Sequence, residues 1–169
     1  MRISDKTRRL AVLALLAACA LVLSWMDTLI PVNSLLPGAK LGLANLSVLL
    51  GLYLLGPGAG AVLCLLKILL STALFGNAYS FFYALAGGTL SYLVMLGLKG
   101  RCSEPFVSVM GGVFHNVGQV AVTAVILETA GLWGYFPVLA LCGLGAGLAV
   151  GVLGGILIRR CAPLVNRQL

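Results

Sequence analysis

Long apolar runs alternate with short breaks rich in glycine, proline and charge along the whole chain. The runs fall at about 10–26, 39–55, 58–75, 80–98, 106–128 and 136–158. Each is long enough to cross a bilayer as a helix, since about 20 residues span the hydrocarbon core and roughly 17 are adequate. Gly56-Pro57-Gly58, Gly76-Asn77, Lys99 to Arg101 and Gly131 to Pro137 read as the turns between them. The first break, Asp27 to Gly38, is different. It carries Leu29, Ile30, Val32, Leu35 and Leu36 among its prolines and polar residues, so it predicts a segment at the membrane interface or folded over the bundle. Pro37-Gly38 closes that segment and predicts a helix from Ala39, with Lys40 in its first turn. A cation is mildly unfavourable at that end of the helix dipole. Lys40 therefore implies a carboxylate, a phosphate or lipid headgroups within reach, or else a lysine snorkelling at a membrane surface.

Composition makes this a membrane protein. Hydrophobic residues are 61% of the chain and charged ones 9%, and the mean hydropathy is +1.12. A soluble domain carries charge on roughly a quarter of its residues. The expected fold is an all-α integral membrane protein, one domain over 1–169, built as a single bundle of six transmembrane helices in the lipid bilayer. The net charge of +7 then reports orientation, not nucleic-acid binding. With six spans, the basic start (Arg2, Lys6, Arg8, Arg9), the Lys99/Arg101 turn and the basic end (Arg159, Arg160, Arg167) share one side. Both termini are expected in the cytoplasm, the membrane being the plasma membrane, with segment 27–38 outside. A basic stretch before an apolar run also suits a cleaved leader. Here the run stays apolar from Cys19 to Trp25, which favours a retained first helix. The five cysteines form no C-x-x-C pair and read as packing residues.

Candidate chemistry lies in polar residues inside the runs. Lys67 sits about ten residues into the third run, roughly 15 Å deep, where insertion of a lysine costs about 2.5–3.5 kcal/mol. Gly60, Cys64, Lys67 and Ser71 share one helical face, which should point into the bundle. Lys67 is either part of an internal ion pair or a functional group. The four acids all fall near or beyond the expected membrane surfaces, which favours function. In the fifth run His115 and Gln119 stack four residues apart beside a stripe of Gly112, Asn116, Gln119 and Thr123. These suit either interhelical hydrogen bonds or a polar site. A single histidine without a nearby carboxylate makes no metal site. Tyr79 to Tyr83 form an interfacial aromatic belt or wall a ligand. Tyr83 is the best ligand candidate, because Gly87 leaves room on its face. Gly143, Gly147, Gly151 and Gly155 form a ladder for close helix packing or for docking another subunit, and Ala14 with Ala18 forms a weaker small stripe.

Three spaced motifs carry a resemblance: Pro-Gly-Ala-Lys-Leu-Gly-Leu-Ala-Asn at 37–45, Phe75-Gly76 with Ser80 to Tyr83 and Gly87-Gly88, and His115-Asn116-Val117-Gly118-Gln119. Together they resemble the Gx transporter family, whose members are commonly labelled heptaprenyl diphosphate synthase component I. The wider grouping includes the substrate-binding S components of energy-coupling-factor vitamin transporters. The resemblance implies a six-helix bundle with an outward-facing pocket under the loop after the first helix. It also implies a coupling subunit with ATPase subunits as partner, docked on the first helix through Ala14 and Ala18. Lys40, Asn45 and Tyr83 would contact the substrate, with Lys67, His115, Asn116 and Gln119 beneath them. The family label implies instead an accessory role beside a soluble prenyl synthase subunit. A place in a flavin- or quinone-linked electron-transfer assembly is a third reading. The chain has no Asp-rich motif to hold magnesium on a diphosphate and no nucleotide motif. No catalytic residue, metal or cofactor is therefore assigned to it.

Overall fold

The computed structural model describes residues 5–29, 42–126, 134 and 136–166. Six α-helices make up the described fold: α1 (Asp5–Leu29), α2 (Asn45–Leu54), α3 (Pro57–Phe75), α4 (Ala78–Leu98), α5 (Glu104–Ile126) and α6 (Phe136–Asn166). Five of them are long and apolar enough to cross a membrane. Their outward faces carry large apolar residues, among them Leu15, Val22, Leu65, Leu69, Leu93, Leu148 and Val152. So broad an apolar surface needs lipid around it. The chain is a multi-pass membrane protein.

The exception is α2. The sequence predicts a span over 39–55, but the helix has 10 residues, about 15 Å and roughly half the hydrocarbon thickness. The cause is local. Gly42 has φ +70°, and Asn45 and Leu46 donate their amides back to Gly42 O and Leu43 O in a turn before the helix. The expected place of Lys40 in a helical first turn falls within residues 30–41, which lie outside the described residues. The other end of α2 closes tightly. Gly56 takes φ +99°, and Pro57, which needs no amide partner at a helix start, opens α3 at once.

Other boundaries also move. Asp27 is not the start of a loop, because α1 runs on to Leu29. α6 continues past the expected end at 158 to Asn166, with Pro163 inside it. α5 starts at Glu104, whose carboxylate lies 3.7 Å from Arg159 of α6. Asn77 caps α4 reciprocally with Ser80.

Neighbouring helices close a ring in the order α1, α3, α4, α5, α6, α2. The most extensive packing joins α5 to α6 and α4 to α5. Small residues allow it. A Cβ on Gly147 would lie 2.7 Å from Val109 Cα, one on Gly151 2.6 Å from Pro105 Cα, and one on Gly143 2.9 Å from Gly112 O. Three rungs of the glycine ladder thus meet α5 backbone. The fourth, Gly155, faces only the Arg159 side chain of its own helix, while Gly154 meets Leu49 of α2.

The apolar core gathers around α2, where Val48, Leu49 and Leu52 are fully buried against Leu63 and Ile68 of α3. Basic side chains hold the far end of this short helix. Arg9 donates to Leu55 O at 2.8 Å and Lys99 to Leu52 O at 2.6 Å. Both meet carbonyls that a helix end leaves without partners, at the negative end of the dipole.

Candidate functional site

Because α2 is short, it fills only one half of the ring. The other half holds a cavity of about 400 Å³. Its wall takes Ser24, Asp27 and Thr28 from the last turns of α1, and Gly42 and Ala44 from the turn before α2. Lys67, Ser71, Thr72 and Phe75 come from α3, Ser80 and Ala84 from α4, and His115 and Gln119 from α5. Phe75, Gly76 and Asn77 are exposed and carry the cavity to the surface. This end of the bundle is opposite the one where Arg9 and Lys99 cap α2.

The local patterns explain the lining. Ser24, Asp27 and Thr28 stand three and four apart on α1, as do Lys67 and Ser71 on α3, so each set shares a face. Lys67 Nζ donates to Asn45 Oδ1 at 2.5 Å. This ties the middle of α3 to the first residue of α2 and keeps the ammonium at the cavity floor. Asp27 Oδ1 receives the Leu43 amide at a long 3.4 Å. The cavity therefore contains a carboxylate, an ammonium and several hydroxyls beside the start of α2. That start carries partial positive charge.

Gly87 sets the opposite wall. A Cβ there would lie 2.7 Å from His115 O and 2.8 Å from Gln119 Cγ. Both side chains pack against Gly87 and are buried, at 5% and 4% exposed. Asn116, between them in sequence, points elsewhere: its Nδ2 donates to Leu139 O of α6 at 2.6 Å. It fastens α5 to α6 and does not line the cavity.

The structure brings Lys67, Asn45, His115 and Gln119 to one place and leaves Asn116 and Tyr83 outside the lining. Tyr83 is half-buried. The room that Gly87 was expected to give a ligand is occupied by α5. Ala14 and Ala18 are exposed on the outside of α1. Ser24, Asp27, Thr28, Thr72 and Ser80 are lining residues that the sequence reading did not select. For Ser24, Asp27 and Thr28 the signal was the polar spacing at the end of α1, hidden by placing Asp27 in a loop.

An apolar exterior around a small chamber defines a multi-pass helical membrane protein. Residues 16–157 match the family described as heptaprenyl diphosphate synthase component I, and the chain belongs to that family. Comparison with curated proteins and with solved structures gives no match.

Proposed function

We propose that the chain is the substrate-binding membrane subunit of a small-molecule transporter, similar in role to an energy-coupling-factor S component. The observation that carries this is the cavity. Its volume lies at the low end of the range for small-molecule pockets, about 300–1,000 Å³. Its lining combines charged and polar side chains with apolar surface from Ala44, Phe75 and Ala84, and it reaches the surface beside Asn77. Such a chamber suits a compact polar molecule. The positive-inside rule supports an outward-facing mouth, since Arg8, Arg9, Lys99, Arg101, Arg159 and Arg160 lie toward the other end of the bundle. Both termini would then be cytoplasmic. The described residues hold no cluster of acids or histidines for a metal, and energy for transport would come from a partner. The exposed Ala14/Ala18 face of α1 is available for such a subunit.

The family's description favours a second reading, an accessory subunit for a soluble prenyl diphosphate synthase. The occupant of the cavity separates the two. A compact polar molecule released from protein purified out of its own membrane, and detected by mass spectrometry, is the expected result. A cavity without such a molecule, in protein that co-purifies with a soluble prenyl synthase subunit, would overturn the transporter reading.

A further inference from the structure

The cavity floor offers hydrogen-bond donors. Gln119 is 4% exposed and lines the cavity, and its Cγ packs on Gly87. The Oε1 end of its amide is buried, so the end that faces the cavity is Nε2. Beyond the bonds of its helix, Gln119 receives only Thr123 Oγ1, on its backbone O at 2.8 Å. Nε2 therefore has no acceptor among the described residues. Whatever fills the cavity displaces its water, and must supply an acceptor in its place or lose affinity. Lys67 stands at about the same depth. Gly87 of α4 abuts Gln119, and the next residue, Gly88, abuts Ile68 beside Lys67. The Lys67 ammonium is a three-donor group and shares the floor with the positive start of α2. The carboxylate of the lining, Asp27, is placed elsewhere, in the last turn of α1 beside the Leu43 amide.

We propose that the molecule carried in the cavity binds through a single carboxylate, seated on the floor against Lys67 Nζ and Gln119 Nε2. This rests on the substrate-binding reading above and names the chemical class of its substrate. Two donors, one of them charged, suit a carboxylate, which only accepts and takes several hydrogen bonds at once. Asp27 limits the charge. Lys67 matches one negative charge, but a further one would meet the Asp27 carboxylate in the same small chamber and be repelled. The part of the molecule nearer Asp27 is therefore neutral or cationic. A diphosphate carries too much negative charge for this lining, and a prenyl chain has no acceptor for the floor, so the cavity selects against both.

The test uses the full chain in lipid nanodiscs and a matched pair of soluble probes, nicotinate and nicotinamide. They differ in one group, a carboxylate replaced by a carboxamide of nearly the same size, and empty nanodiscs supply the baseline. Saturation-transfer NMR should show nicotinate binding about tenfold more tightly or better, the usual order for hydrogen bonds to a charged group. Lys67→Met should reduce that preference to about twofold or less, and Gln119→Leu, close in volume, should weaken nicotinate about fivefold. Equal binding of the probes to the unaltered chain, tighter binding of nicotinamide, binding of neither, or an unchanged preference in Lys67→Met overturns the assignment. The comparison on the unaltered chain stands even if a variant fails to fold. A compact molecule without an acidic group, released from protein purified out of its own membrane, would overturn only the carboxylate assignment. A cavity empty in such protein would overturn the substrate-binding reading itself.

Discussion

Gly87 sets how closely α4 and α5 approach, and with that the position of His115 and Gln119. Gly87→Ala would force its Cβ against His115 O. The expected cost is about 1–3 kcal/mol, as for other overpacked interiors, read as a lower melting point in detergent. Gly97→Ala on the same helix meets nothing within 4 Å and should leave the melting point unchanged or raise it. The i, i+4 stacking of His115 and Gln119 was legible in the sequence, because helical spacing fixes which side chains share a face. For Tyr83 the same logic is less decisive, because a glycine in a membrane helix admits either a ligand or another backbone, and beside Gly87 it is the α5 backbone. Asp27 was missed because the apolar run stops at Met26, whereas α1 carries on for another turn to deliver a carboxylate to the cavity.

At the scale of elements, the long helices follow their apolar runs closely, and α2 does not. Hydropathy counts apolar residues and cannot see that Gly42 takes a positive φ and delays the helix to Asn45. That delay is what leaves room for the cavity. The glycine ladder of α6 was legible as a packing face, but its partner was not. Pro105, Ser108, Val109 and Gly112 of α5 supply the matching surface. Gly147→Ala is expected to destabilise the protein by about 1–3 kcal/mol, because its Cβ would meet Val109 backbone. Gly155→Ala has space, and is expected to be neutral or stabilising by roughly 0.5–1 kcal/mol through helix propensity. Thermal melts of the two variants side by side check this. Equal losses would mean that α6 packs through some other face.

For the whole molecule, basic residues and cavity mouth occupy opposite ends of one ring of helices. If basic side chains mark the cytoplasmic end, a cysteine at exposed Asn77 (Asn77→Cys) should react with a membrane-impermeant maleimide added to intact cells. Labelling only after the cells are opened would reverse the orientation. The sequence carried the membrane class and the polar residues of α3 and α5. It could not carry the closure of the ring, which depends on contacts between helices distant in the chain, such as α2 with α6. The central claim is that the half-ring left open by α2 holds a small polar molecule. The most direct measurement is an experimental structure of the full chain purified from its own membrane. Compact density in contact with Lys67 and Gln119 is the expected result. A cavity filled by a lipid acyl chain, or closed by an α2 extended back through Gly42, would contradict it.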